Sequence, residues 1–140
     1  MDINHAPTLE EVELAFDSYE QALVGNDVAK LDELFWNNDA TLRYGATENL
    51  VGYDAIRAFR SQRPAANLAR TVTSRHVTTF GTDCAVANIT FTKNGDTRIG
   101  RQTQTWVKFP DGWHVVAAHV SWMDVKCCLL YTSDAADDMQ

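Results

Sequence analysis

Apolar residues recur at intervals of three and four between residues 8 and 23, which is the spacing of one buried stripe on an amphipathic helix. Thr8, followed by Glu11 three positions later, predicts a capping box at the start of this helix. The charged residues between the stripe positions are expected to face water. The stripe itself consists of Leu9, Val12, Phe16, Tyr19 and Leu23.

Two further helices are predicted before the part of the chain that has the composition of β-strands. The first carries apolar residues over 28–35, and Asp27 is placed to cap its first turn. The second spans residues 53–63, where an apolar stripe again has helical spacing. Arg60 lies beside that stripe and has an aliphatic stem long enough to pass along it toward the interior.

Most of the chain after residue 70 has the composition of β-strands, since it is rich in Thr, Val and aromatic residues. A shorter strand is predicted at residues 40–44, with Thr41 and Arg43 on one face. Asn-Gly and Asp-Gly pairs separate the later apolar runs and are typical of tight turns between antiparallel strands. Four long strands are therefore predicted at residues 70–80, 84–93, 98–109 and 113–123.

This order of elements predicts an α+β domain with three N-terminal helices packed on a curved, mostly antiparallel sheet. Helices segregated to one side of such a sheet are a recurrent solution to burying both apolar surfaces. A long curved sheet wrapped around a few helices leaves a cavity between the two layers. Small ligands bind in concave, mostly apolar sites of this kind.

Charge and length narrow the classes of partner. A chain of 140 residues fits one domain, and its net charge of −7 disfavours nucleic acid and anionic membrane surfaces, which require basic faces. No apolar run approaches the roughly 18–20 residues of a membrane span. The first seven residues lack the basic and apolar regions of a secretory signal, so a cytoplasmic location is expected.

The last part of the sequence is expected to be foreign to the fold. Residues 128–137 match, in register, the translation of a transposase-type sequencing adapter. We therefore expect a folded domain over residues 1–126 and a non-native tail over residues 127–140 that is not part of the fold. Cys127 and Cys128 are set aside on the same ground.

Two residues stand out as candidates for chemistry. Tyr19 lies on the buried stripe of the first helix, where it is either a core aromatic or a hydrogen-bond donor to a ligand. Arg43 lies on a short strand, where it either points to water or pairs with an anion inside. A guanidinium holds a carboxylate through two parallel hydrogen bonds, so the second alternative implies a carboxylate ligand. The pattern of residues leaves both alternatives open.

Three residues form a second rank of substrate-binding candidates, namely Arg60, Gln104 and His119. His119 is predicted to share a strand face with Val115, although a single histidine on an apolar face is more often structural than catalytic. Arg63, on the third helix, is expected to be solvated. No metal and no cofactor are predicted, because metal-ligand spacings and a glycine-rich phosphate loop are missing from the sequence.

Several separate motifs resemble the AtzH-like proteins, of which those associated with oxalurate catabolism are called HpxZ. The resemblance extends over about residues 8–124 and places the chain in the wider NTF2-like, SnoaL-like superfamily. One departure is Trp122, where a smaller aliphatic residue is expected. The motifs lie at residues 44–52, 56–64, 100–106 and 117–121.

The resemblance implies a cone-shaped, usually homodimeric protein that works beside amidases in the breakdown of nitrogen-rich compounds. It implies a small carboxylated substrate such as 1,3-dicarboxyurea or oxalurate, with Tyr19 and Arg43 as the catalytic residues. Our mechanistic hypothesis is hydrolysis of an amide-type C–N bond, with or without loss of CO2. Arg43 would bind and polarise the substrate, and Tyr19 would donate a hydrogen bond.

Two alternatives remain from the sequence. The first is a protein without catalytic activity that binds a small anion or serves as the partner subunit of an amidase, since the fold does not decide function. The second is an isomerase or cyclase, which would need a carboxylate in the pocket. Asp39, Glu48 and Asp54 all lie in predicted loops or turns, so this alternative ranks last.

Overall fold

The computed structural model describes residues 1–124, which form three helices and six strands. None of the helices in this part of the chain has the length and apolar character needed to cross a membrane. In chain order the elements are α1 (Ala6–Val24), α2 (Val28–Leu34), β1 (Leu42–Tyr44), β2 (Asn49–Val51), α3 (Tyr53–Gln62), β3 (Thr71–Phe80), β4 (Cys84–Thr92), β5 (Ile99–Phe109) and β6 (Gly112–Met123).

Helix α1 begins earlier than the sequence pattern indicates, and the predicted capping box is wrong. The N-cap is His5, and Pro7 stands in the first turn, where its missing N–H group is no loss. Thr8 is buried inside the helix, and its hydroxyl lies 2.8 Å from His5 Nδ1. Glu11 does not reach back, because its carboxylate accepts hydrogen bonds from Lys108 and Trp113 on the sheet.

The sheet confirms the predicted α+β arrangement and adds one strand. Its order is β2-β1-β6-β5-β4-β3, and every pair is antiparallel except β1 with β6. Strand β2 lies in the segment predicted to be a loop. It pairs with β1 to form a short hairpin that Gly45 and Glu48 close through a backbone hydrogen bond of 2.9 Å. The hairpin therefore places Glu48 beside the strand that carries Arg43.

A β-bulge in β6 changes which side chains face the helices. Trp106 pairs with Val115, whereas the preceding Thr105 pairs with Ala117, so Val116 is an extra residue on β6. One extra residue reverses the alternation of side chains beyond it, because successive residues of a strand point to opposite faces.

The bulge makes one sequence prediction wrong. Val115 is fully buried, but beyond the bulge Ala118 is the buried residue and His119 is exposed. His119 lies on the outer face, where its ring packs edge-to-face with Tyr44 at a centroid distance of 5.8 Å. It does not share a face with Val115, because the predicted alternation assumed a regular strand.

The core is densest in the middle of the sheet, where the stripe of α1 packs against it. Phe16 and Val12 from α1, with Trp106 and Val115 from the sheet, are fully buried. Burial of such side chains contributes about 1.5–3 kcal/mol each to folding. Where α1 and α3 end, the two layers are not filled by side chains, and a cavity opens between them.

Candidate functional site

The cavity has a volume of about 210 Å³, the size of a small organic molecule. It lies between the C-terminal half of α1, the end of α3 and the concave face of the sheet. Its apolar wall consists of Leu23, Phe59, Leu68, Phe91, Val120 and Trp122. Trp122 packs edge-to-face on Phe91 at 5.3 Å between ring centroids. Trp122, at a position where a smaller aliphatic residue is expected, therefore forms part of this wall.

Tyr19 and Arg43 both line this cavity. Tyr19 is only 5% exposed, and its ring is held among Phe16, Phe35 and Trp106 at centroid distances of 6.2, 6.3 and 6.5 Å. Packing on three sides fixes the direction of the hydroxyl group, which is the polar end of this side chain. The side chain of Tyr19 is therefore preorganised at the wall of the cavity.

Arg43 points inward and has an internal carboxylate as its partner. Its Nη1 donates a hydrogen bond of 2.8 Å to Glu48 Oε2, and its guanidinium lies 5.6 Å from the centre of the Phe59 ring. Burial alone would raise the pKa of Glu48. Hydrogen bonds from Thr47 and Arg43 outweigh burial and hold the pKa of this carboxyl below its ordinary value. Glu48 is therefore an anionic counterion and a weak base.

Arg70 is a second cation of the cavity whose charge is already compensated. It forms an ion pair with Glu20 of α1 and donates a hydrogen bond of 3.2 Å to Gln102 Oε1. Its guanidinium also stacks over Phe91, 4.4 Å from the ring centre. These contacts fix Arg70 as a structural bridge between α1 and the sheet at the edge of the cavity.

Arg63 differs from the other two arginines because the described residues offer its inner atoms no acceptor. Its Nε and Nη2 are buried without a hydrogen-bond partner among residues 1–124. Burial lowers the pKa of the Arg63 guanidinium, the Tyr19 hydroxyl acts in the opposite direction, and Arg60 and Arg43 add to the lowering. Arg63 therefore lies near Tyr19 and carries a positive charge that no described carboxylate neutralises.

Lys93 is the fourth cation of the lining. Its Nζ donates a hydrogen bond of 2.6 Å to the backbone oxygen of Asn67. Burial lowers the pKa of Lys93, and the charges of Arg70 and Arg63 lower it further. Lys93, Arg70 and Arg63 repel one another. A bound anion reduces this repulsion, so the repulsion favours anion binding.

The local backbone explains why Arg63 turns into the cavity. A residue before proline avoids the helical conformation, and Arg63 precedes Pro64. Arg63 is accordingly the C-cap of α3, with extended backbone angles of φ −72° and ψ 137°. The change of direction removes its side chain from the solvated face of α3 that Arg57 occupies. The expectation that Arg63 is solvated is therefore wrong.

The three second-rank candidates do not belong to the described lining of this cavity. Arg60 is buried, but its guanidinium bonds to Asp32 and stacks on Phe35, 4.8 Å from the ring centre. Gln104 is buried in the core, where its Oε1 accepts a hydrogen bond from Trp106. His119 lies on the outer face of the sheet because of the bulge in β6.

Six polar residues of the lining were not among the site residues predicted from the sequence. Arg63 had a usable signal in the proline that follows it. Gln102 lies two residues before the buried Gln104 and shares its strand face, and it lines the cavity. The partner of Arg70 is fifty residues away in sequence, so no local pattern indicates the pair. The six residues are Thr47, Glu48, Arg63, Arg70, Lys93 and Gln102.

Within residues 1–124, no group of three or more His, Cys, Asp or Glu side chains is arranged as a metal site would require. The described lining instead contains four cations and a single carboxylate. Two of the cations, Arg43 and Arg70, are paired with acidic residues. The arrangement is suited to binding a small anion by hydrogen-bond donors in a partly dry environment.

Solved structures define the class of protein. An NTF2-like protein from Pseudomonas putida superposes with a TM-score of 0.68 at 16% identity, covering 86% of this chain and 89% of that one. A cystatin-like fold protein from Burkholderia xenovorans gives a TM-score of 0.85 at 42% identity, covering 89% and 98%. The fold is thus the NTF2-like, cystatin-like α+β fold, as predicted.

The family is narrower than the fold. The AtzH-like family model matches residues 1–126, and the chain belongs to this family. A protein of the DUF3225 family from Pectobacterium atrosepticum, of unknown function, is 58% identical, with a TM-score of 0.87 and coverage of 88% of this chain and 96% of that one. No curated protein matches the chain. The resemblance drawn from the sequence motifs is therefore confirmed at the level of the family.

Proposed function

We propose that this protein hydrolyses an amide-type C–N bond of a small carboxylated compound, such as an N-carboxylated urea or oxalurate, in nitrogen catabolism. One observation carries the proposal: Tyr19 and Arg43 line the same small cavity, and its described lining carries more positive than negative charge. A planar, carboxylated urea is small enough for about 210 Å³. Its carboxylate supplies an acceptor for Arg63, whose Nε and Nη2 have none among residues 1–124.

The proposed chemistry uses polarisation and hydrogen-bond donation. Cationic side chains bind the substrate carboxylate and stabilise negative charge that develops on the reacting carbonyl oxygen. Water adds its oxygen to the carbonyl carbon, the C–N bond breaks, and the departing nitrogen gains a proton. Tyr19 donates its hydroxyl hydrogen toward that nitrogen and recovers a proton from the water. A carbamate product then loses CO2.

Glu48 disfavours the isomerase alternative even though it supplies a carboxylate in the cavity. An effective general base has a pKa close to the working pH. The pKa of Glu48 is instead held low by Thr47 and Arg43, after burial has acted in the opposite direction. Each of its two oxygens also accepts a hydrogen bond from one of these donors. Proton abstraction from carbon by Glu48 is therefore weakly supported.

Variants of the two candidate catalytic residues test the proposal. Ammonia, CO2, urea and oxalate are followed after purified protein is mixed with 1,3-dicarboxyurea or oxalurate, since cleavage of the oxalyl C–N bond of oxalurate gives urea and oxalate. Tyr19→Phe removes only the hydroxyl and is expected to lower kcat about a hundredfold to ten-thousandfold. Arg43→Lys keeps the charge but loses the two-pronged geometry, and a loss of about a hundredfold is expected. Wild-type turnover in both variants would rule out the assignment.

A second candidate function is a small-anion binder or a partner subunit of an amidase. It is favoured by the low basicity of Glu48, the single carboxylate of the described lining. Binding without turnover predicts that oxalurate raises the melting temperature while no ammonia, CO2, urea or oxalate appears. Homodimer formation, association with an amidase and a cytoplasmic location belong to the proposal as well. Light scattering of the purified protein, alone and mixed with the amidase, tests the first two.

A further inference from the structure

The unsatisfied polar atoms around the cavity share one chemical character. Arg63 contributes Nε and Nη2, and Gln102 contributes Nε2, all buried without a partner among residues 1–124. The amide of Gln102 is oriented by Arg70, which needs Oε1 as its acceptor, so Nε2 is the free end. All three atoms are donors. Buried donors without acceptors are uncommon and costly, and an acceptor-rich ligand at this position would satisfy them.

We infer that Arg63 is the residue that anchors the carboxylate of the ligand, with Lys93 supplying a second charge and Gln102 a neutral donor. This inference deepens the proposed function, since it rests on the cavity being the site of a carboxylated compound. It assigns the first contact to Arg63 and leaves Arg43 for the reacting end of the molecule. Arg63 is a specificity residue that distinguishes a carboxylate from its neutral amide.

Charge compensation separates Arg63 from the other arginines of the lining. A ligand that bonds to Arg43 competes with Glu48, and one that bonds to Arg70 competes with Glu20. At Arg63 the described residues provide no competing carboxylate. The free energy gained by binding there is not reduced by breaking an existing ion pair, so the carboxylate prefers Arg63.

Lys93 strengthens the same end of the cavity. Its pKa is lowered by burial and then by Arg70 and Arg63, so its charge acts on the space that Arg63 occupies. An anion between Arg63 and Lys93 reduces the repulsion between the two cations. Tyr19 lines the same cavity of about 210 Å³ as Arg63, so the anchored ligand lies within reach of the candidate catalytic residue.

Isothermal titration calorimetry with oxalurate and its neutral amide, oxaluramide, tests the inference. Wild-type protein is expected to prefer oxalurate, and Arg63→Gln is expected to weaken oxalurate binding about tenfold to a hundredfold while leaving oxaluramide binding unchanged. Arg63→Lys is expected to recover part of the loss. The matched control is Arg57→Gln, which removes one arginine from the solvated face of α3, where the side chain is 66% exposed. Oxalurate binding by Arg63→Gln equal to that of wild type would overturn the inference.

Melting temperatures with and without oxalurate distinguish a structural role of Arg63 from a role in binding. Replacing a buried, unpaired guanidinium by an apolar chain of similar length relieves an unfavourable burial of charge. Arg63→Met is therefore expected to melt at a temperature equal to or above that of wild type and to lose the stabilisation by oxalurate. A lower melting temperature together with unchanged stabilisation by oxalurate would overturn the inference.

Turnover measured on the same samples separates this inference from the proposed function. Protein that binds oxalurate through Arg63, but releases no product from either substrate, would support the anchor and refute the hydrolase. Protein that turns over substrate, while Arg63→Gln keeps the wild-type KM, would refute the anchor and support the hydrolase. An anchor without a direct role in the chemical step predicts a rise in KM larger than the fall in kcat.

Discussion

At the scale of single residues, the pair formed by Arg43 and Glu48 controls access to the candidate catalytic guanidinium. Glu48 occupies one side of Arg43, so the reacting end of a ligand must displace it to make a two-pronged contact with the guanidinium. Gly45 lies directly against the pair, and a Cβ atom at this position would overlap Glu48 Oε2. Since Oε2 is the end of a flexible side chain, an added methyl group would move Glu48 rather than the backbone.

Two variants are expected to release Arg43 in different ways. Glu48→Gln removes the negative charge, and Gly45→Ala keeps it but displaces it; Gly45 has no left-handed backbone angle that would strain alanine. Both are expected to tighten oxalurate binding about threefold to tenfold, which corresponds to the loss of one partly exposed competing ion pair. Calorimetry measures the change.

The matched control for these variants is Glu33→Gln, which also removes one negative charge. Its side chain is 67% exposed and belongs to α2, outside the described lining of the cavity. Oxalurate affinity that rises equally in the control would mean that net charge, not release of Arg43, is responsible. Unchanged affinity in both test variants would mean that the ligand does not replace Glu48.

At the scale of secondary structure, regular periodicity makes the longer elements predictable from the sequence. The three helices and four long strands appear at the expected places because apolar stripes and Asn-Gly or Asp-Gly turns are local signals. Strand β2 has only three residues and pairs with β1, so its stability depends on a neighbour. The bulge at Val116 has no local signature in the sequence. An inserted residue is visible only in the register between β5 and β6.

The same distinction applies to the site. Tyr19 is predictable on an inward face because α1 is regular. The residue pattern leaves the direction of Arg43 open, and only the family resemblance implies that it faces the pocket. Strand periodicity puts His119 on the wrong face because one bulge lies between it and Val115. Arg70 depends on Glu20 across the fold, a contact that no periodicity contains.

The register of β5 and β6 predicts opposite outcomes for two polar residues on neighbouring strands. Gln102 is 4% exposed and lines the cavity, whereas His119 is exposed on the other face. Gln102→Leu removes an acceptor of Arg70 and a buried donor, so KM is expected to rise about tenfold. His119→Asn is expected to leave kcat and KM within about twofold of wild type. Steady-state kinetics of both variants gives the comparison.

The opposite outcome for either variant would contradict the register of β5 and β6 or the role of Gln102. A large loss of turnover in His119→Asn would indicate that β6 lacks the bulge and turns His119 inward. Wild-type KM in Gln102→Leu would indicate that the donors on β5 do not contact substrate. Circular dichroism of each variant shows whether the sheet is retained.

At the scale of the whole molecule, the cavity has the opposite sign to the protein. The chain carries a net charge of −7, yet the described lining holds four cations and one carboxylate. Charges on the exterior are screened over about 8 Å at physiological ionic strength, whereas partly buried charges are screened much less. The local cations therefore dominate the field that a ligand meets inside, and the acidic exterior does not prevent anion binding.

Lys93 is one of the four cations of the described lining, so anion binding depends on whether Lys93 is protonated. Burial, followed by the charges of Arg70 and Arg63, lowers the pKa of Lys93 below its ordinary 10.5, while Asp96 acts in the opposite direction. The unfolded chain therefore binds more protons than the folded one between the two pKa values. Stability without ligand rises with pH across that window, because the penalty of the buried charge is present below the folded-state pKa and is relieved above it.

The affinity for an anionic ligand changes with pH in the opposite direction to the stability of the free protein. An anion binds the charged form of Lys93, so oxalurate affinity is expected to be constant at neutral pH and to fall as the pH rises through the lowered pKa toward 10.5. Lys93→Met removes this titration and is expected to give weaker binding with a flat profile on the alkaline side. Lys93→Arg keeps the charge and is expected to stay flat near wild-type affinity. Calorimetry from about pH 7 to about pH 10 distinguishes the three profiles. A wild-type profile as flat as that of Lys93→Met would place the bound anion beyond the reach of Lys93.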